Sequence, residues 1–319
     1  MRNPIVLLAC MALLMASFTA GADEPCRYSA PRNAEIDAAG LKLLSVQIGP
    51  DNLFIHGQPG LTKVLVQGTA CASEEKWLQD VKVETARQGD TASVIARDGD
   101  RGIVLSLFGN HYAYLKLDVR VPQSLAVKLT EGSGDASASN LAALNATLGS
   151  GDLKVNGITG EFGLSVGSGD AEAGNVGSLN LANLGSGDVN VDGVHGDARI
   201  GDVGSGDLSL RNVKGGVTMG GLSSGNVKLT GIGGSVKAQS VGSGDLVIHD
   251  VTGDVAVGSV SSGDVGIERA GGSVHAGSVG SGDFGADGVG GDFSVDAVGS
   301  GDIRHHNVKG KISVPRNDD

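Results

Sequence analysis

The tetrapeptide Gly-Ser-Gly-Asp returns ten times, allowing Ser-Ser-Gly variants, its last residue standing at Asp135, Asp152, Asp170, Asp188, Asp207, Asn226, Asp245, Asp264, Asp283 and Asp302. The intervals are 17, 18 and 18 residues, then 19 residues six times. A fixed period of this length marks a stack of one supersecondary unit. After Asp207 the apolar residues are Leu208, Leu210, Val213, Val217, Met219 and Leu222. The next two coils place Val227, Leu229, Ile232, Val236, Ala238, Val241 and then Leu246, Ile248, Val251, Val255, Val257, Val260 in the same positions. Each half-coil reads apolar-x-apolar, the period of a strand. Glycine makes up 54 of 319 residues, and that load together with the β-branched residues excludes helix.

One coil cannot bury six apolar side chains by itself. Stacking coils at the ~4.8 Å strand spacing lines them into interior ladders. The sequence therefore predicts an all-β chain: a single-stranded parallel β-helix, or β-solenoid, of about ten coils of 17–19 residues, preceded by an N-terminal β region. The crossover rule makes the stack right-handed. Strands of about three to five residues are expected between the glycines. Turning the chain at each corner is expected to need positive φ, which glycine adopts freely. Gly196, Gly215, Gly234, Gly253, Gly272, Gly291 and Gly310 mark the second corner of their coils. Asp and Ser are expected to hydrogen-bond local backbone amides in these turns.

The same corner also presents an acidic row. Asp188, Asp207, Asp245, Asp264, Asp283 and Asp302 are candidate calcium ligands, since like charges one strand spacing apart repel unless solvated or bridged. Calcium-binding nonapeptide repeats differ by carrying Asp at both corners. Here one corner has it consistently, and Asn226 interrupts the row. The turn role is the stronger expectation, and no cofactor other than calcium is suggested.

Residues 1–22 read as a secretory signal: Arg2, an apolar run from Ile5 to Phe18, then the small residues Ala20-Gly21-Ala22. Cys10 stands too early for the lipobox that Leu7-Leu8-Ala9-Cys10 resembles. Removing the signal leaves Cys26 and Cys71, which an oxidising compartment would join as a disulfide. Residues 23–130 form the N-terminal β region, with strands expected at Leu41–Ile48, Leu53–His56, Lys63–Gln67, Val81–Thr85, Ser93–Ala96, Ile103–Leu107 and Tyr114–Val121. A short helical turn is expected at Ser73–Leu78. This region would lead straight into the solenoid of residues 131–319 and cap its first coil. At the far end His305, His306, Lys309, Lys311, Pro315, Arg316 and Asn317-Asp318-Asp319 supply a polar cap that blocks further strand pairing.

Residues 131–319 hold 23 acidic and 11 basic residues, whereas residues 1–130 hold 13 of each. The solenoid is thus the acidic part, and nucleic acid and anionic lipid are poor partners for it. Past the signal, no segment reaches the ~20 apolar residues of a transmembrane helix. Taken together, the export signal, a β region ending in Val119-Arg-Val-Pro122 and the Gly-Ser-Gly-Asp coils resemble a bacterial family of unknown function labelled "putative adhesin". Gly68-Thr-Ala-Cys-Ala72 and Lys311-Ile-Ser-Val-Pro315 are similar to its gammaproteobacterial members. The resemblance spans roughly residues 25–315 and implies the solenoid fold but no catalytic residues.

The expectation for function is a non-enzymatic exported envelope or surface protein, with a protein or glycan surface as partner. It would reside in the periplasm, at the outer membrane or on the cell surface. A periplasmic envelope-stress partner is the alternative, with His111–Leu115 as its one candidate docking segment. A carbohydrate-active β-helix enzyme is the third reading. It needs a cluster of bases and cations on one face, and His195, His249 and His275 fall in separate coils.

Overall fold

The computed structural model describes residues 26–97 and 112–315. The signal segment 1–22, the strand expected at Ile103–Leu107, His111 and the last four residues of the expected cap lie outside the described residues. The strands are β1 (Tyr28–Pro31), β2 (Ala34–Asp37), β3 (Leu43–Ile48), β4 (Asn52–Gln58), β5 (Lys63–Ala72), β6 (Lys82–Gln88), β7 (Thr91–Arg97), β8 (Ala113–Pro122), β9 (Ala126–Glu131), β10 (Asp135–Leu141), β11 (Ala143–Leu148), β12 (Asp152–Val166) and β13 (Ala171–Leu184). From Val189 onward each coil carries two strands, as at Leu208–Val213 and Val217–Leu222.

Two parallel ladders run the length of the solenoid. In one, Leu208 pairs with Val227 and Asn226 with Asp245, so successive coils superpose in register. In the other, Val217 pairs with Val236 and Val236 with Val255. The inward places are the six apolar positions read from the repeat. Leu208, Leu210, Val213, Val217, Met219 and Leu222 are all at most 2% exposed. Successive coils thus bury each other's apolar side chains, and no coil has a core of its own. Strands are six or seven residues long in the regular coils, beyond the three to five expected. The hydrogen-bonded ladder continues through a bend near the end of the first strand.

That bend holds the left-handed residue of each coil. It lies five residues after the corner Asp: Asn140, Asn175, Asn212, Asp250, Arg269 and Asn307, with Gly157, Gly193, Gly231 and Gly288 in the remaining coils. The expectation of positive φ at the Gly-Ser-Gly-Asp corner and at Gly196, Gly215 and their equivalents is therefore wrong: none of them is left-handed. The corner glycine is there for space. A Cβ on Gly206, Gly225, Gly244 or Gly263 would stand 1.9–2.0 Å from the carbonyl oxygen of the same glycine one coil earlier. Only a residue without Cβ lets the corners stack this closely.

The N-terminal region does not simply precede the solenoid; it supplies two of its layers, out of sequence order. β3 lies between β7 and β9, and β4 lies between β8 and β10. The β3–β4 layer is thus inserted between the β7–β8 layer and the first Gly-Ser-Gly-Asp coil, which follows β8 in sequence. β5 then covers the free edge of β8 antiparallel, and β6 covers that of β7. β1 and β2, which the strand pattern did not suggest, pair antiparallel with β5. An antiparallel layer ends the stack because it occupies the exposed ladder edge. The helical turn falls at Glu75–Gln79. Cys26 and Cys71 form a disulfide with Cα atoms 5.3 Å apart, fastening the start of the described chain to β5.

At the opposite end the last coil pairs on one side only. His305 occupies an inward place, opposite Ala286, and its ring lies 5.3 Å from that of Phe293. An imidazole there shields the final aromatic core residue while tolerating water.

Candidate functional site

Outward side chains repeat once per coil, so each outward position becomes a row along the rod. The corner Asp row is built by hydrogen bonds between coils, not by the local turn bonds expected from the motif. The Asp170 carboxylate accepts the amide of Asp188 at 2.8 Å, that of Asp207 accepts the amide of Asn226 at 2.9 Å, and that of Asp264 accepts the amide of Asp283 at 2.9 Å. Asp188, Asp245 and Asp283 do the same for the next residue of the row, at 3.2–3.4 Å. The offset of one coil follows from the stacking, which presents each side chain to the corner above it. Asn226 also donates its side-chain amide to Asp207 at 3.0 Å, which relieves the charge repulsion where the row would otherwise be continuous.

The six candidate calcium ligands therefore lie in one row, one coil apart except where Asn226 separates Asp207 from Asp245. Among the described residues no three carboxylate, imidazole or thiol groups converge as a metal site. One carboxylate oxygen of each of Asp188, Asp207, Asp245, Asp264 and Asp283 is already engaged by a backbone amide.

A second row was not anticipated. At the other corner Asp197 accepts the amide of Gly216 at 3.0 Å, Ser235 that of Asp254 at 3.1 Å, Asp254 that of Ser273 at 2.7 Å, Ser273 that of Asp292 at 3.1 Å and Asp292 that of Lys311 at 2.8 Å. The Asp or Ser standing nine residues after the corner residue in five of the coils, at Asp197, Ser235, Asp254, Ser273 and Asp292, was the available signal. It is obscured because Ser and Asp are both acceptors of backbone N–H but read as different residue types.

The third row flanks the left-handed bend, and it lines a groove. This groove of about 850 Å³ crosses successive coils and is lined by Asn175, Asp192, His195, Asn212, Lys214 and Asp250, among others. The bend indents the surface, and the outward residues beside it project from either bank. Asn212 donates to Asp192 at 2.7 Å, and Asn175 to Asn156 at 3.1 Å. Farther along, Arg269 pairs with Asp250 at 2.6 Å and with Glu268 at 3.1 Å. The Arg269 guanidinium holds the Asp250 carboxyl below the usual carboxylate range, chiefly through its hydrogen bond. The sequence expectation missed this bend, although the Asn or Gly five residues after most corner residues was a signal for it, since Asn is the non-glycine residue that most readily takes this conformation.

The histidines disperse as the repeat implied. His195 lies in the groove, His249 is 3.1 Å from Glu268, and His275 is 3.0 Å from Ser294 and 3.5 Å from Asp296. No pair of them shares a site. The segment considered for docking is not a free surface at its described end: Ala113 begins β8, and Leu115 is fully buried.

No curated protein matches the sequence. Among solved structures the chain is similar to a "putative adhesin" of Parabacteroides merdae, with 12% identity, a TM-score of 0.44, and coverage of 87% of this chain and 95% of that one. It is also similar to a "putative cell adhesion protein" of Clostridium sporogenes, with 13% identity, a TM-score of 0.33, and coverage of 90% and 99%. A "putative lipid binding protein" of Parabacteroides distasonis matches with 13% identity, a TM-score of 0.28, and coverage of 90% and 97%. The sequence itself matches the Toastrack DUF4097 family model over residues 69–232. That match runs from the second half of β5 through β8 and into the regular coils, over slightly more than half the chain, and on it the chain belongs to the Toastrack family.

Proposed function

We propose that the protein is a non-enzymatic exported module that binds a protein or glycan surface along its solenoid, in the manner of an adhesin. The observation that carries this reading is the groove at the left-handed bend. It lines successive coils with amide, carboxylate, imidazole and ammonium side chains, from Asn175 to Asp250. Such groups donate and accept hydrogen bonds with hydroxyls and amides. Each contact is weak, but a partner with its own repeat can engage several at once, and affinity then grows by effective concentration. The signal-like N-terminus and the Cys26–Cys71 bond suit an address outside the cytosol.

Two measurements test it. Cell fractionation followed by protease treatment of intact cells places the protein; a cytosolic pool would overturn the export reading. Binding of the mature chain to a glycan array and to outer-surface extracts is then compared with a His195→Ala, Lys214→Ala double variant. Weakened binding with an unchanged circular dichroism spectrum is expected. Equal binding by both proteins would remove the groove from the reading.

A further inference from the structure

One buried inward place among the described residues of the solenoid is not apolar. Glu131 ends β9, and its neighbours in the ladder are Ile48 on one side and Leu148 on the other. The same column continues as Val166, Leu184, Val203, Leu222, Val241 and beyond, every one a hydrocarbon side chain. Glu131 is 2% exposed, and neither of its carboxyl oxygens has a hydrogen-bond partner. A buried carboxylate in that condition is strongly unfavourable.

The geometry supplies what the group is aimed at. Glu131 Oε1 and the Gly134 carbonyl oxygen each lie 1.8 Å from the point where a Cβ on Gly151 would stand. They are therefore no more than twice that distance apart. That bound admits a hydrogen-bond distance, at which two acceptor oxygens need a proton or a cation between them. A converging donor set for a metal is absent among the described residues. The charges acting on Glu131 are Asp135 and Asp152, from the first two Gly-Ser-Gly-Asp corners, and both oppose its ionisation. β3 and β11 bring only Ile48 and Leu148 against it, the adjoining β3–β4 corner carries the buried Asp51, and Lys128 of its own strand is exposed.

We propose that Glu131 is a built-in proton site: its carboxyl group stays protonated in the folded protein and donates to the Gly134 carbonyl. It thereby ties the first Gly-Ser-Gly-Asp corner to the strand that leads into it. The join between the out-of-order layers and the regular coils becomes a pH-sensitive point. Burial, and secondarily Asp135 and Asp152, push the carboxyl from 4.5 up to about 8. The sign follows from proton uptake. Below about pH 4.5 the group is protonated in both folded and unfolded chains. Between that value and about 8 the folded chain keeps a proton that the unfolded chain has lost, so stability falls as pH rises. Above about 8 both are ionised and the decline stops.

The test is urea unfolding of the mature chain from pH 5 to 9, followed by circular dichroism, for wild type and Glu131→Gln. Gln fits the same space and donates to the same carbonyl without titrating. The wild-type folding constant is expected to fall by up to about tenfold per pH unit relative to the variant, levelling off near pH 8. Parallel profiles would overturn the proposal. Infrared difference spectra of the wild type alone provide a second readout. A protonated-carboxyl band should persist at neutral pH and bleach near pH 8, and its absence at neutral pH would also refute it. If added calcium chloride raises the wild-type midpoint but not that of Glu131→Gln, a cation occupies the site and the proton assignment fails.

Discussion

Replacing Gly244 with Ala isolates the reason for the corner glycine. The added Cβ would stand 1.9 Å from the Gly225 oxygen, with Ser224 C at 2.9 Å and Gly225 C at 3.0 Å, where ordinary contact begins at 3.4 Å. All three are backbone atoms, so no side chain can swing aside, and the two corners must part by about 1.5 Å to restore contact distance. Three hydrogen bonds hold them together: Gly242 N–H to Leu222 at 2.7 Å, Ser243 N–H to Ser223 at 2.7 Å and Gly244 N–H to Ser223 at 3.2 Å. A shift of that size breaks most of them, at about 0.5–1.5 kcal/mol each. The expected loss is about 2–4 kcal/mol, in the range of core overpacking. Gly266→Ala is the control, since a Cβ there meets nothing within 4 Å and its φ is not positive. That change should be neutral or stabilising by up to about 1 kcal/mol. Urea unfolding monitored by circular dichroism, with hydrogen exchange at the corner amides, measures both. If Gly244→Ala is no less stable than Gly266→Ala, close stacking is not why glycine stands at the corner.

Other expectations follow from the rows and the cap. Asp264→Asn keeps an acceptor for the Asp283 amide and removes a like charge, so its unfolding midpoint should hold or rise, whereas Asp264→Ala should lower it by less than about 1 kcal/mol. Asn212, at φ 56°, should accept Gly with little change, and Asn212→Val should cost about 1–2 kcal/mol, read from thermal midpoints. Reducing the Cys26–Cys71 bond opens a loop of 45 residues, worth about 4 kcal/mol of chain entropy. Hydrogen exchange should show that loss in β1, β2 and β5, with the distant coils unaffected because each layer contacts only its neighbours.

The corner glycine also shows where sequence reading stops. A glycine is required both for positive φ and for a close approach, and the one-dimensional pattern is the same in either case. Asp51 makes the difference visible. It occupies the stacking place beneath Gly134, yet it carries a side chain, whose carboxylate accepts the Leu115 amide at 2.6 Å. The β3–β4 corner is not itself a Gly-Ser-Gly-Asp corner, and it takes the stacking place with a residue that has a side chain.

The sequence by itself determined the repeat, its period, the six inward places and hence the parallel solenoid, because burial in a strand has a period of two and stacking copies that pattern from coil to coil. It did not reveal that β3–β4 is inserted between β7–β8 and the first regular coil, nor that β1 and β2 join the cap. Strand partners far apart in the chain are chosen by which free edges and apolar faces remain to be covered, and local periodicity carries no record of that choice. The same limit applies to Glu131. Its residue type is plain in the chain, but only the stacked ladder turns it from one acid among many into a buried one beside a carbonyl.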